Sequence, residues 1–112
     1  MAIQLADHQG TRNPYLRQQL KTASPEKLIL MLFDLGVKRC RARDRTGAAR
    51  VLVELIAALN FDHKEIALTF FQLYRFALDQ VHSQKFENAL MIFEGLRDVW
   101  ESAVLGCRDL EN

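Results

Sequence analysis

Cys40 stands among Lys38, Arg39 and Arg41. Neighbouring cations of this kind favour the thiolate and make a cysteine nucleophilic. The same residue falls on the apolar side of the helix that carries it, so an inert, reduced thiol is expected. Cys107 is read the same way, since two cysteines are too few for a disulfide framework. His8, His63 and His82 are far apart, with no cysteine or carboxylate at a spacing that holds zinc. There is no Glu-x-x-His pair for a di-metal bundle site and no Gly-rich phosphate loop. The expectation is a protein that is not an enzyme, with no catalytic residue, no metal, no cofactor and no small-molecule substrate.

A second group is the basic cluster Lys38, Arg39, Arg41, Arg43, Arg45 and Arg50, interrupted by one acid, Asp44. Such a cluster would grip phosphate or an acidic peptide. No aromatic residue is interleaved for base stacking, and cations are favoured at a helix C-terminus by the dipole. A solvated turn is the preferred reading, an acidic protein partner the next, and nucleic acid the last.

The elements that position these residues are helical. Ser24 is suited to accept a hydrogen bond from a free N–H of a first helical turn. Pro25 sits where its missing N–H costs nothing, and Glu26 faces the positive end of the dipole. Leu28 to Phe33 is then an unbroken apolar run, wider than one neighbouring helix requires. Helix 1 is expected from Ser24 to about Ala42. Arg43 to Gly47 reads as a turn, and helix 2 follows to about Leu59 with Ala48, Val51, Leu52, Leu55, Ile56 and Leu59 inward. Asp62 is a plausible cap for helix 3, with Glu65 three residues on. Helix 3 runs to about Ser83 with Ile66, Phe70, Leu73, Tyr74, Ala77 and Val81 inward. Helix 4 starts near Ser83 or Lys85 and runs to about Leu105. Its inward stripe is Phe86, Ala89, Phe93, Leu96, Trp100 and Ala103, with Trp100 largely buried and Gly106 as the stop.

Short connections make successive helices antiparallel neighbours. The expected fold is all-α: an antiparallel up-down-up-down four-helix bundle over residues 22–106, a mobile N-terminal arm over 1–21 and a tail over 107–112. At 112 residues the chain has the length of one domain, with enough buried surface for an ordinary core. A net charge of +1 argues against a nucleic-acid partner. No stretch has the ~18 apolar residues of a membrane span, and the first twelve residues lack a signal-peptide pattern. No membrane partner is expected, and two unpaired thiols fit the cytoplasm.

Some apolar residues fall on the outer side of these helices. Leu30 and Val37 lie opposite Leu28, Leu32 and Leu35. Leu68 lies nearly opposite the helix 3 stripe, Phe71 and Phe76 flank it, and Met91 points away from Trp100. Several such residues on adjacent helices suggest a groove for an amphipathic helix. The alternative is that they are flank positions of a wide core.

Asn13-Pro14-Tyr15, then Thr22-Ala23-Ser24-Pro25-Glu26-Lys27-Leu28 leading into Met31-Leu32-Phe33-Asp34, resembles the FliS family of flagellar export chaperones. Leu73-Tyr74 in helix 3 and Leu96-Arg97-Asp98-Val99-Trp100-Glu101 in helix 4 extend the resemblance to about Ala103. It implies the same antiparallel bundle and a cytoplasmic chaperone. Such a chaperone holds the disordered C-terminal segment of flagellin on its apolar outer surface, preventing polymerisation before secretion. It also implies contact with components of the export apparatus. Leu30, Val37, Leu68, Phe71, Phe76 and Met91 would then form the partner groove. Pro14 and Tyr15 would form a lid that covers it when flagellin is absent. Two departures stand out. The hairpin between helices 1 and 2 is shorter than the family's, which would leave one end of helices 3 and 4 uncovered. Gly36 follows Leu35 where the family tends to place glycine first. A helical interaction or regulatory module that no longer binds flagellin is the alternative.

Overall fold

The computed structural model describes residues 24–111, and the side chains of residues 24–103. The segment expected to form the N-terminal arm, with Pro14 and Tyr15, lies outside the described residues. Helix α1 spans Pro25–Arg41 and starts as its residue types require. The Ser24 hydroxyl accepts from the Lys27 N–H at 3.3 Å, satisfying one of the free donors of the first turn. Lys38, Arg39 and Arg41 occupy the last turn, at the negative end of the dipole.

Arg43 turns the chain with a left-handed φ of 55°. Asp44 then caps α2, Arg45–Ala57, by accepting from the Gly47 N–H at 2.9 Å. Helix α3, Lys64–His82, begins without a side-chain cap. Asp62 does not cap it. Instead the Asp62 N–H donates to Oδ1 of Asn60 at 3.0 Å, an Asx turn that carries the chain past Asp62 before the helix begins. Gln84, also left-handed with φ 61°, makes the turn into α4, Phe86–Glu111. Gly106 does not stop α4. A glycine ends a helix by entering the left-handed region, and none of the described glycines has a positive φ. The residues expected as a tail from 107 therefore continue the helix to Glu111.

The four helices pack in sequence, α1 on α2, α2 on α3, α3 on α4, and α4 back on α1. The result is the expected all-α up-down-up-down bundle, and no described residue is in a strand. Phe33, Val37, Val51, Leu52, Leu55, Ala77, Val81 and Phe93 fill its axis. Helices α1 and α4 are in close contact at Gly36, where a Cβ would overlap the ring of Phe93. Ion pairs Arg41–Glu94 at 2.9 Å and Arg97–Asp34 at 3.2 Å tie the same two helices along their length.

Several inward assignments change. Ala67 is buried, while Ile66 is 62% exposed and Leu73 also faces outward. Two wide aromatic side chains, Phe70 and Tyr74, take the space in the α3 interface, so small Ala67 completes the inner row and the helix rotates Ile66 out. Ala103 is exposed, and Trp100 is half-buried at the bundle's edge. Helices α3 and α4 are not left bare beside the short first hairpin. Phe86 is buried there, with the Arg43 guanidinium 5.5 Å from its ring centroid.

Candidate functional site: the outer apolar faces

Val37 does not belong to an outer groove. It is 2% exposed, packed in the core with Phe33 and Phe93. Leu30 is half-buried. Phe71 is half-buried with the Arg75 guanidinium 6.0 Å from its ring centroid, and Leu68 is exposed beside it. Phe76 and Met91 are strongly exposed. Exposed Val53, Ile66, Leu73 and Val99 join this set, and helical wheels drawn from sequence miss them.

The register of α3 against α4 sorts these residues into faces. The Asn88 side-chain amide donates to Oε1 of Gln80 at 2.8 Å, so these two residues face each other across the α3–α4 cleft. Positions four, seven, eleven and fourteen before Gln80 return to the same side of α3. They are Phe76, Leu73, Thr69 and Ile66. Positions four, seven and eleven after Asn88 return to the same side of α4 and are Ile92, Gly95 and Val99. The residue after each of Ile66, Leu73, Gln80, Asn88, Ile92 and Val99 points inward, at Ala67, Tyr74, Val81, Ala89, Phe93 and Trp100. The cleft is thus an uncharged trough between two helices, about 21 Å long at 1.5 Å per residue. A Cβ on Gly95 would meet nothing within 4 Å, which leaves the middle of the trough open.

At one end of the bundle Trp100 joins three helices. Its Nε1–H donates to the Glu26 carbonyl on α1 at 2.9 Å. Its ring stands edge-on to Phe33 and to Phe70, with centroids 6.1 Å and 6.4 Å away. Beside it opens a pocket of about 250 Å³ lined mainly by Ile29, Leu55, Leu59, Ile66, Phe70 and Tyr74, with Asn60 and His63 at its rim. The Tyr74 hydroxyl is pushed well above its usual pKa by burial.

Half of the basic cluster is occupied by the fold. Arg39 pairs with Asp44 at 3.6 Å, Arg41 pairs with Glu94, and Arg43 covers Phe86. Arg45 and Arg50 line a shallow pocket of about 350 Å³ with His82 and Glu54. Burial pushes the Cys40 thiol up to about 11. No group of three or more His, Cys, Asp or Glu side chains is placed to hold a metal among the described residues. No helix among them is long and apolar enough to cross a membrane.

The fold is a small antiparallel four-helix bundle with apolar residues on its outer faces. Comparison with protein-family models, curated proteins and solved structures finds no match for the chain.

Proposed function

We propose that this chain is a cytoplasmic export chaperone of the flagellar type, which holds the disordered C-terminal segment of flagellin against its outer apolar faces. The carrying observation is the exposure of large apolar side chains on neighbouring helices, with Phe76 at 52%, Met91 at 71% and Val99 at 68%. Isolated exposed apolar residues are ordinary, but a set on adjacent helices suits a binding surface. The resemblance around Ser24-Pro25-Glu26 and Leu96 to Glu101 supplies the identity of the partner.

The mechanism is sequestration. An amphipathic segment that is free in the cell pairs with copies of itself, and covering its apolar face keeps it monomeric and unfolded for export. Ordering that segment on binding offsets much of the interface energy, which keeps the complex releasable. The resemblance gives Pro14 and Tyr15, which lie outside the described residues, the role of a lid over the empty surface, and gives the export apparatus the role of receiving the complex.

Titration calorimetry against the last ~40 residues of flagellin is the direct test, because coupled folding over such a length gives a large negative heat-capacity change. Leu68→Asp and Phe71→Asp are expected to weaken this binding while the bundle stays folded. No heat of binding with a folded chain defeats the proposal. That result selects a helical interaction module without flagellin binding, which the short α1–α2 hairpin favours.

A further inference from the structure

Within the spans that border the α3–α4 trough, the residue before each trough position lies on its outer rim, because the residue after each points into the core. Those rim residues are Glu65, Leu68, Gln72, Arg75 and Asp79 on α3, and Glu87, Met91, Glu94 and Asp98 on α4. Five of the nine are acidic and one, Arg75, is basic. The two spans, residues 65–81 and 87–99, carry two cations. Arg75 turns its guanidinium from the rim over the Phe71 ring, and Arg97 is held by Asp34 of α1. Glu94 is paired with Arg41. Asp98 is shared with Arg97 at 3.8 Å, while Glu65, Asp79 and Glu87 are in no ion pair among the described residues. The trough is therefore an uncharged floor, with Ile66, Leu73, Phe76, Ile92 and Val99 as its apolar members, between two banks whose charge is mostly acidic.

We propose that this trough is the seat of an amphipathic helix whose apolar face is bordered by lysine or arginine. Four turns of such a helix match its length of about 21 Å. Gly95 lets the incoming helix approach the backbone of α4 closely, since nothing stands above its Cα. Ile66, Leu73 and Phe76 from one side and Ile92 and Val99 from the other then bracket the incoming apolar stripe. The acidic banks pair with the basic flanks of the ligand, which favours one ligand over another of equal apolar area and raises its association rate. A second copy of this chain presenting the same face would set acid against acid, so the self-pair is disfavoured. The assignment rests on the reading of the bundle as a polypeptide-binding protein, and it specifies the charge of the segment bound.

Two labelled helical peptides of about fifteen residues test it. They share one leucine-rich face and carry either lysine or glutamate along both flanks, and each is titrated with the full chain by fluorescence anisotropy. The lysine-flanked peptide is expected to bind at least tenfold more tightly at low salt, with the gap narrowing as salt screens the banks. Gly95→Leu fills the trough and is expected to cut that affinity tenfold or more without lowering the melting temperature. Glu65→Lys with Asp79→Lys is expected to reverse the order of the two peptides. Equal affinity for both peptides overturns the proposal, as does binding that Gly95→Leu leaves intact. Self-association of the chain that Gly95→Leu abolishes assigns the trough to a second copy and also overturns it. If the lysine-flanked peptide binds and the flagellin segment does not, the flagellar reading falls and the trough assignment stands.

Discussion

The ring of Phe93 lies against the backbone of Gly36, and the α1–α4 contact leaves no space there for a side chain. Gly36→Ala is therefore expected to destabilise the bundle by about 1–3 kcal/mol through overpacking, despite the ~1 kcal/mol that alanine gains over glycine in an open helix. Gly95→Ala, with nothing near its Cβ, is expected to stabilise by about 0.5–1 kcal/mol. Urea unfolding of both variants measures the contrast, and shifts of the same sign would contradict it.

The two left-handed turn residues are not equivalent. Gln84→Gly removes a steric cost of about 1–2 kcal/mol, partly cancelled by the freedom glycine gives the unfolded chain. A net gain of about 0.5–1 kcal/mol is expected. Arg43→Gly relieves the same strain but also strips the guanidinium from the Phe86 ring, a contact worth about 0.5–1 kcal/mol, so no gain is expected. Thermal unfolding of the pair separates the two effects.

Val37 and Leu68 both look like outer residues on a wheel, yet one is core and the other surface. Val37→Asp is expected to unfold the protein, because an unpaired carboxylate would enter the core. Leu68→Asp is expected to change stability by less than about 0.5 kcal/mol. Circular dichroism with urea titration reports both, and a folded Val37→Asp would place that side chain at the surface after all.

The Cys40 thiol resists ionisation in the folded state because burial disfavours its charged form. In a Cys107→Ser background, alkylation at pH 8 is expected to follow the unfolding curve rather than the intrinsic thiolate level. The sign for stability follows from the raised pKa. The contribution is complete below the ordinary thiol range, and it is lost as pH rises toward about 11, because only the unfolded chain ionises in that window. Burial of Tyr74 adds to the alkaline loss at higher pH. Cys40→Ala should flatten the first part of that loss in pH-dependent urea midpoints.

Deleting residues 1–20 tests the lid that the resemblance implies for Pro14 and Tyr15. Burial of one aromatic ring contributes at most about 1.5–3 kcal/mol before the arm is ordered, so a lid of this kind would close only weakly. Flagellin binding is expected to tighten a few-fold or stay level on deletion, and self-association to increase. Abolished binding by a folded bundle would make the arm part of the binding site.

Local chemistry was enough to place the helices. Ser24 with Pro25 marks the start of α1, and the apolar spacing of Ala48, Val51, Leu52 and Leu55 marks α2, because caps and periodicity act within a few residues of chain. Short turns then leave little choice but antiparallel neighbours, so the bundle itself was legible before any coordinates. Helix ends were less so. Asp62 and Gly106 carry the right chemistry for a cap and a stop, but residue type permits a cap without compelling one, and the backbone passes through both.

Which apolar side chains remain outside was decided only by packing. A wheel gives angles around one axis but not where the neighbouring axes lie. Ile66 and Leu73 share a flank that looks inward until Ala67 and Tyr74 are seen to take the interface, and Val37 looks outward until α4 closes on α1 at Gly36. The same holds for charge. Arg41 and Arg43 read as part of a free basic cluster along the chain, and their partners Glu94 and Phe86 meet them only when the helices are side by side. The trough and its acidic banks belong to two helices at once, so neither helix's sequence could show them alone.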